Sequence, residues 1–317
     1  MKSVRIFSHG GADVLTPIDL ELPLPSKEQV RVKIELAGVN FIDVYHRRGQ
    51  YPLHLSDGTG SGIGIEGIGR TPDGHRIFWL NALGSYAQEI NLFAKDITAL
   101  PKTSLANEEI LPLLCQGLTA HYLVDSAFRV EQGQWALVTA AAGGVGLLLT
   151  QLLKIRGANV IALASTSKRA VLAKEHGADL AGTYRELEEL TAKATGGAGV
   201  DVVFDSVGKD YFDICLSSLT SSGMYVLYGA ASGPVPPFDL MRLNSKSLAI
   251  RRPTLATYTA TEAERIRRLT DLITLAEGKL LRYPRTKIFS LSEVKSAHQL
   301  IESRSYTGKI GIDPWKI

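Results

Sequence analysis

From Trp135 to Tyr228 the sequence alternates short, unbroken apolar runs with helical stretches. Ala136 to Thr139 precedes Val145 to Ile155, Val160 to Ala164 precedes Lys168 to His176, Val202 to Phe204 precedes Tyr211 to Leu219, and Met224 to Tyr228 closes the series. Runs of about four to six apolar residues without polar alternation are what strands covered on both faces look like, as in a parallel sheet between two layers of helices. The expected architecture is therefore α/β, with a doubly wound parallel sheet of the Rossmann type. The stretch from Trp135 to Leu153 carries no charge and is long enough to span a bilayer. Gly143, Gly144 and Gly146 fall inside it, which predicts a buried strand, a turn and a buried helix, and no membrane segment.

Within this stretch Val138-Thr139-Ala140-Ala141-Ala142-Gly143-Gly144-Val145-Gly146 follows a predicted strand and opens a predicted helix. It fits the dinucleotide fingerprint as Ala141-x-Gly143-x-x-Gly146, with alanine at the first of the three glycine positions. In such a loop Gly143 lets the backbone approach a pyrophosphate, Gly146 lets helix and strand pack closely, and free N–H groups at the helix start hold the phosphates. Ala142, Gly143, Gly144, Val145 and Gly146 are thus the candidate phosphate residues. A merely tight packing turn is the alternative. An NAD site also places an acid about 20 residues further on, to hold the ribose 2′-hydroxyl. Here the strand Val160 to Ala164 ends in Ser165, followed by Thr166, Ser167, Lys168 and Arg169 with no carboxylate. Hydroxyls followed by two cations suit a 2′-phosphate and point to NADPH, with a solvated basic helix start as the alternative.

The flanking sequence reads differently. Lys2 to about Asn91 is β-rich: Val30, Val32, Ile34 and Leu36 alternate with charged residues, and Ser85 to Ile90 is a further strand. Gly58, Gly60, Gly62, Gly64, Gly67 and Gly69 crowd the stretch ahead of His75 to Leu80. This predicts a small irregular β-barrel with tight turns, or a flexible loop at the glycines. Asn107 before Glu108 and Glu109 reads as a helix N-cap. Past Gly233 to Pro237, Leu248 to Arg251 is strand-like, Thr261 to Glu264 is a capping box opening a helix to about Glu277, and Ser292 to Ser303 is a second helix. No further strand–helix repeat is visible, so the tail is expected to leave the doubly wound domain and pack on the N-terminal one. A chain of 317 residues suggests two domains, and the boundaries fall at 1–116, 117–254 and 255–317.

Composition excludes several classes. With 45% hydrophobic and 21% charged residues the chain is an ordinary globular protein, and a net charge of +3 is too small for a dedicated nucleic-acid binder. Cys115 and Cys215 lie in apolar surroundings and read as reduced core thiols. The opening Met-Lys-Ser-Val-Arg has no long apolar stretch behind it, so no secretory signal is expected and the location is cytoplasmic.

Several further motifs carry a resemblance: Gly38 to Tyr45 with Arg48-Gly49-Gln50-Tyr51-Pro52, Gly117 to Ala120, the loop Ala140 to Gly146, Phe204 to Gly208, and Arg252 to Leu255. Over nearly its whole length the chain resembles the zinc-independent, zeta-crystallin-like quinone oxidoreductases of the medium-chain dehydrogenase/reductase superfamily. The resemblance implies a GroES-like barrel, the catalytic domain, split around a Rossmann domain, a homodimer, and NADPH-dependent reduction of quinones. It implies that Asn40 and Tyr45 line the nicotinamide and substrate cleft, with Thr119 beneath the nicotinamide. It gathers Ser165, Arg169, Tyr184 and Arg304 round the 2′-phosphate, with Lys168 assisting, and lays Tyr228 and Gly229 along the cofactor. The segment between Glu66 and His75 is shorter than the family's hairpin, so the resemblance does not extend to the barrel edge and the cleft rim.

Zinc-dependent relatives carry Gly-His-Glu where this chain has Gly64-Ile65-Glu66, and two cysteines cannot supply a metal lobe. No metal is expected, and the seven histidines read as surface or capping residues. As a quinone accepts hydride, negative charge grows on its oxygen, so Tyr45 and the amide of Asn40 are the candidate catalytic donors; Asp43 reads as a structural partner of the helix turn. Reduction of an activated C=C bond in an enone or enal is the alternative activity. A low-turnover NADPH-binding protein touching RNA is the alternative of another class, with Arg265, Arg267, Arg268, Arg282 and Arg285 as a basic patch or, more simply, a solvated helix face.

Overall fold

A parallel sheet forms where the four apolar runs stand, extended at one edge by Leu180–Thr183, which the sequence did not reveal, and at the other by Ala249–Arg251. In the computed structural model, which describes residues 1–55 and 58–316, its six strands lie in the order Leu180–Thr183, Asn159–Ala164, Trp135–Val138, Val200–Asp205, Leu219–Leu227, Ala249–Arg251. Every neighbouring pair is parallel. The order steps outward from Trp135–Val138 and then restarts beside it, which is the arrangement of a doubly wound Rossmann sheet. Helices Gly144–Ile155, Ser167–Glu175, Leu187–Thr195 and Phe212–Ser217 connect the strands. The first buries Leu147, Leu148, Leu149, Leu152 and Leu153 together with Thr150 and Gln151, so the uncharged stretch is strand, turn and core helix. No helix among the described residues is long and apolar enough to cross a membrane.

Contact within the chain defines two units: Met1–Cys115 with Thr259–Ile273 and Pro284–Ile317, and Gln116–Tyr258 with Thr274–Tyr283. The second contains the parallel sheet. In the first, the alternating run around Val32 forms the long strand Gln29–Val39, which pairs antiparallel with Glu66–Arg70 and with Glu89–Phe93. Glu66–Arg70 returns as Arg76–Trp79 through a short turn in which Thr71 N–H bonds the His75 carbonyl at 3.1 Å and Gly74 takes φ +86. The shortened segment is thus a closed hairpin.

The structure corrects three expectations in this unit. The strand expected from Ser85 begins only at Glu89, because Ser85 and Tyr86 turn back to bond the Gly64 and Ile63 carbonyls. Asn107 is the first helical residue, not the cap; its side chain bonds Arg76 and Glu35, and Glu109 accepts from the Ala106 N–H. The tail does hold a further strand–helix–strand repeat: Thr286–Ser290, Val294–Ser303 and Lys309–Asp313, the two strands parallel. Its last strand pairs Ile310 with Val39, so the end of the chain does pack on the N-terminal sheet.

Trp79 is fully buried over Gly67, where an added Cβ would lie 2.2 Å from the indole Cζ2. Gly67→Ala is therefore expected to destabilise the protein by about 1–3 kcal/mol through overpacking. Calorimetry reads this as a lowered Tm, and an unchanged Tm would mean that the ring moves aside freely.

Candidate active site

In an open α/β sheet ligands gather at the carboxyl ends of the strands. There, Trp135–Val138 runs into a turn and the helix Gly144–Ile155. Ala140 takes a left-handed backbone with φ 46, a conformation that costs a residue with a Cβ about 1–2 kcal/mol. Its N–H donates to the Tyr184 hydroxyl at 2.8 Å and its carbonyl accepts from Gly143 N–H at 2.8 Å. A Cβ on Gly146 would sit 2.5 Å from the Ala140 carbonyl oxygen, so only glycine lets the helix close on the loop. Gly143 caps the helix without a side chain and the first turn holds no acid. The opening amides of Gly144, Val145 and Gly146 therefore have neither a carbonyl of their own helix nor a capping group to bond, and they lie at the positive end of the helix dipole. This is an anion-receptive helix start, and Ala142 is buried directly before it.

Asp205 fixes the loop from beneath. Fully buried, it accepts from Thr139 Oγ1 at 2.6 Å, Tyr225 Oη at 2.6 Å, Val207 N–H at 2.8 Å and Gly208 N–H at 2.9 Å. Thr139 Oγ1 in turn accepts from Ser206 N–H at 3.0 Å. Two strand-end loops thus share one carboxylate. Tyr228 and Gly229 both donate backbone N–H groups to the Asp205 carbonyl, and a Cβ on Gly229 would meet Ser206 O at 2.7 Å. Burial pushes the Tyr228 phenol above its ordinary range.

Ala164 and Thr183 are paired residues of neighbouring strands, so Ser165 and Tyr184, which follow them, leave the sheet side by side. Ser165 and Lys168 are exposed and Arg169 half-buried; Thr166 caps the helix that carries the two cations. The Tyr184 ring stacks on Tyr211 with centroids 3.9 Å apart and planes 13° from parallel. Thr119 is buried on the helix Cys115–Tyr122. The phosphate-loop residues, Ser165, Lys168, Arg169, Tyr184, Tyr228, Gly229 and Thr119 all belong to the second unit; Asn40, Tyr45 and Arg304 belong to the first. Arg304 ends the helix Val294–Ser303 in a left-handed conformation, φ 53.

In the first unit Asn40 precedes the helix Phe41–Arg47, and its N–H bonds Asp43 Oδ2 at 2.8 Å. Its side-chain amide is spanned by a buried ion pair: Lys309 Nζ donates to Asn40 Oδ1 at 3.0 Å and to Glu66 Oε2 at 2.6 Å, while Asn40 Nδ2 donates to the same Glu66 oxygen at 2.6 Å. The other Glu66 oxygen accepts from Cys115 N–H at 2.9 Å. Asp43 Oδ2 also accepts from Tyr86 Oη at 2.8 Å, and beyond Tyr86 lie His298 and Arg47. Tyr45, half-buried, meets Tyr51 edge-on at 5.3 Å.

A curated relative, the probable quinone oxidoreductase of Schizosaccharomyces pombe, is 36% identical over 97% of this chain and 95% of its own. The chain belongs to the quinone oxidoreductase family. Within this family its relatives include the 2-haloacrylate reductase of a Burkholderia species, 32% identical over 98% of both chains. Among solved structures, the Escherichia coli quinone oxidoreductase complexed with NADPH superimposes with a TM-score of 0.92, at 31% identity, over 99% of this chain and 100% of that one. The broader description Zinc-binding dehydrogenase matches residues 144–274.

Among the described residues no group of three or more His, Cys, Asp and Glu side chains is placed to hold a metal. Cys215 is buried in the Rossmann core, and the Glu66 carboxylate already holds an ammonium ion. Two sequence expectations fail here. His298 and His121 are buried rather than on the surface. Neither the favoured solvated helix face nor the alternative basic patch holds for Arg265, buried against Thr98 and backbone carbonyls, or for Arg268, buried against Glu264. The sequence reading also missed Lys309, Tyr86, His298 and the use of Glu66; these residues join Asn40 from far along the chain, and no local pattern marks them.

Asp43 Oδ1 is buried with no hydrogen-bond partner among the described residues, and burial pushes the carboxyl up to about 7 against the donors at Oδ2. In the unfolded chain it titrates near 4, at about the ordinary value. Between these pH values the folded protein keeps the proton and the unfolded chain does not, so the stability contributed below about pH 4 is lost as pH rises to about 7. Asp43→Asn removes this slope, and its Tm relative to the wild type is expected to rise from acid to neutral pH. A difference constant across that range would mean that Asp43 is ionised throughout.

Proposed function

We propose that the protein reduces quinones with NADPH, without zinc, and that the anion-receptive start of the helix Gly144–Ile155 holds the cofactor pyrophosphate. That helix start, closed by Gly146 and braced by Asp205, is the observation that carries the reading. Relatives and solved neighbours named quinone oxidoreductase support the substrate class. NADPH supplies a hydride when bound. Ser165, Lys168 and Arg169 follow a strand end that lacks a carboxylate, and with Tyr184 and Arg304 they are assigned to the 2′-phosphate. The amides of Gly144, Val145 and Gly146 take the pyrophosphate, with Ala142 and Gly143 forming the turn, and Thr119, Tyr228 and Gly229 lie along the nucleotide.

Asn40 and Tyr45 are assigned to the substrate. A donor placed against the quinone oxygen stabilises the charge that grows there, and the phenol of Tyr45 serves as such a donor at neutral pH. The protein pairs as a homodimer along the strand Ala249–Arg251. This strand is one edge of the sheet, Ile250 is 37% exposed, and Leu240 and Met241, ahead of it in the chain, are 72% and 71% exposed. The free thiols of Cys115 and Cys215 suit a reducing cytoplasm.

The decisive experiment is steady-state turnover with NADPH or NADH against a panel of quinones and enones. Wild type is expected to prefer NADPH and quinones, and Arg169→Ala to erode the preference for NADPH by raising its KM. Equal use of both cofactors by the wild-type protein would refute the 2′-phosphate assignment, and turnover of enones alone would move the activity to C=C reduction, the chemistry that the name of the 2-haloacrylate reductase relative suggests.

Tyr45→Phe separates donation from packing. Loss of the hydroxyl is expected to lower kcat for a small benzoquinone about tenfold to a hundredfold, with little change in the NADPH dissociation constant. If kcat stays at the wild-type value while chemistry limits the rate, Tyr45 only packs.

A further inference from the structure

We propose that Lys309, held in place by Glu66, is a positioning residue that locks the direction in which the Asn40 side-chain amide faces. The inference rests on the assignment of Asn40 to the substrate site. An asparagine amide is nearly symmetric in shape, so packing alone scarcely distinguishes its oxygen from its nitrogen. Here the neighbours make the distinction. The Lys309 ammonium can only donate and takes Oδ1; the Glu66 carboxylate accepts and takes Nδ2. Turning the amide over would set N–H against the ammonium and oxygen against the carboxylate.

The ion pair is an unusual device for a core. Lys309 and Glu66 side chains are 1% and 0% exposed and lie 2.6 Å apart. Apolar residues of similar volume generally stabilise such a position as well or better, so stability alone does not account for the pair. Room is kept for it: a Cβ on Gly38 would fall 2.1 Å from Glu66 Oε2 and 2.9 Å from Lys309 Nζ. The three residues start three different elements, the strand Glu66–Arg70, the strand Lys309–Asp313 and the helix Phe41–Arg47 that Asn40 precedes. The ammonium also draws electron density from the amide oxygen, which strengthens the N–H groups as donors. In this role Lys309 acts on substrate only through Asn40.

The test compares wild type, Asn40→Ala, the neutral pair Glu66→Gln with Lys309→Met, and the triple variant, each first checked for a cooperative thermal transition. The neutral pair avoids leaving one buried charge alone. Its kcat for benzoquinone is expected to fall about tenfold or more through misorientation, with the NADPH dissociation constant within threefold of wild type, and the triple variant to lose nothing beyond Asn40→Ala. Side-chain amide NMR should show the Asn40 pair of signals shifted or exchange-broadened in the neutral pair. A wild-type kcat in the neutral pair, or losses that multiply in the triple variant, overturns the proposal. Unchanged kcat in Asn40→Ala removes Asn40 from the site, and the role of Lys309 with it. Should the wild-type protein fail to turn over any quinone, the proposed function falls, while the Asn40 signals still decide the positioning role: unshifted signals in the neutral pair overturn it, shifted ones uphold it.

Discussion

The first unit is organised around one buried ion pair. Glu66 and Lys309 are brought out of water at a cost of several kcal/mol per ion, which their attraction offsets only if the remaining donors and acceptors are also satisfied. Three of those bonds are to Asn40 and to the Cys115 N–H. The pair thereby couples the start of the hairpin strand, the last strand of the chain, the helix after Asn40 and the backbone at Cys115. Removing either charge alone leaves the other buried, at about 3–5 kcal/mol. The C-terminal strand, which begins at Lys309, is for this reason part of the Asn40 site and not a peripheral addition to the sheet.

In the second unit a single carboxylate plays the corresponding part. Asp205 collects four donors from two strand-end loops and from Tyr225. Its loops carry the close approaches that glycine alone permits, at Gly208, with φ +83, and at Gly229. The strained backbone of Ala140 persists because Tyr184, Gly143 and Gly146 surround it. A turn held on all sides presents its amides in place before any ligand arrives, which lowers the ordering cost of binding.

Legibility in the sequence followed locality. The central parallel strands were readable because each carries an unbroken apolar run, whereas the edge strand Leu180–Thr183, short and interrupted by Gly182, was missed; the phosphate loop was readable because its glycines are three residues apart between strand and helix. The alternation of Val30 to Leu36 exposed the long strand for the same reason. Ser85 to Ile90 misled because Ser85 and Tyr86 are tied by a turn to the Gly64 and Ile63 carbonyls, and only Glu89 and Ile90 enter the sheet ladder. The strand–helix–strand of the tail was hidden because Thr286–Ser290 and Lys309–Asp313 are short and mixed in polarity. The basic patch failed because a guanidinium has enough donors to be buried against carbonyls, as Arg265 is. Partners 243 residues apart, such as Glu66 and Lys309, leave no pattern at all.

The chain of buried groups behind Asn40 has a direction, and donor chemistry alone sets it. Arg47, fully buried, can only donate, so His298 Nδ1, 3.0 Å from its Nη1, is an acceptor and the imidazole carries its proton on Nε2. Burial and the adjacent guanidinium hold His298 neutral, pressing its pKa down to about 3. Nε2–H then donates to the Tyr86 oxygen at 3.2 Å, which turns the phenol hydrogen toward Asp43 Oδ2. Because that oxygen also accepts from Asn40 N–H, a proton on Asp43 can reside only on Oδ1. The neutral and ionised forms of Asp43 therefore preserve the same bonds to Tyr86 and Asn40. The backbone at Asn40 stays anchored through the titration, and its side chain is governed from the other side, by Glu66 and Lys309.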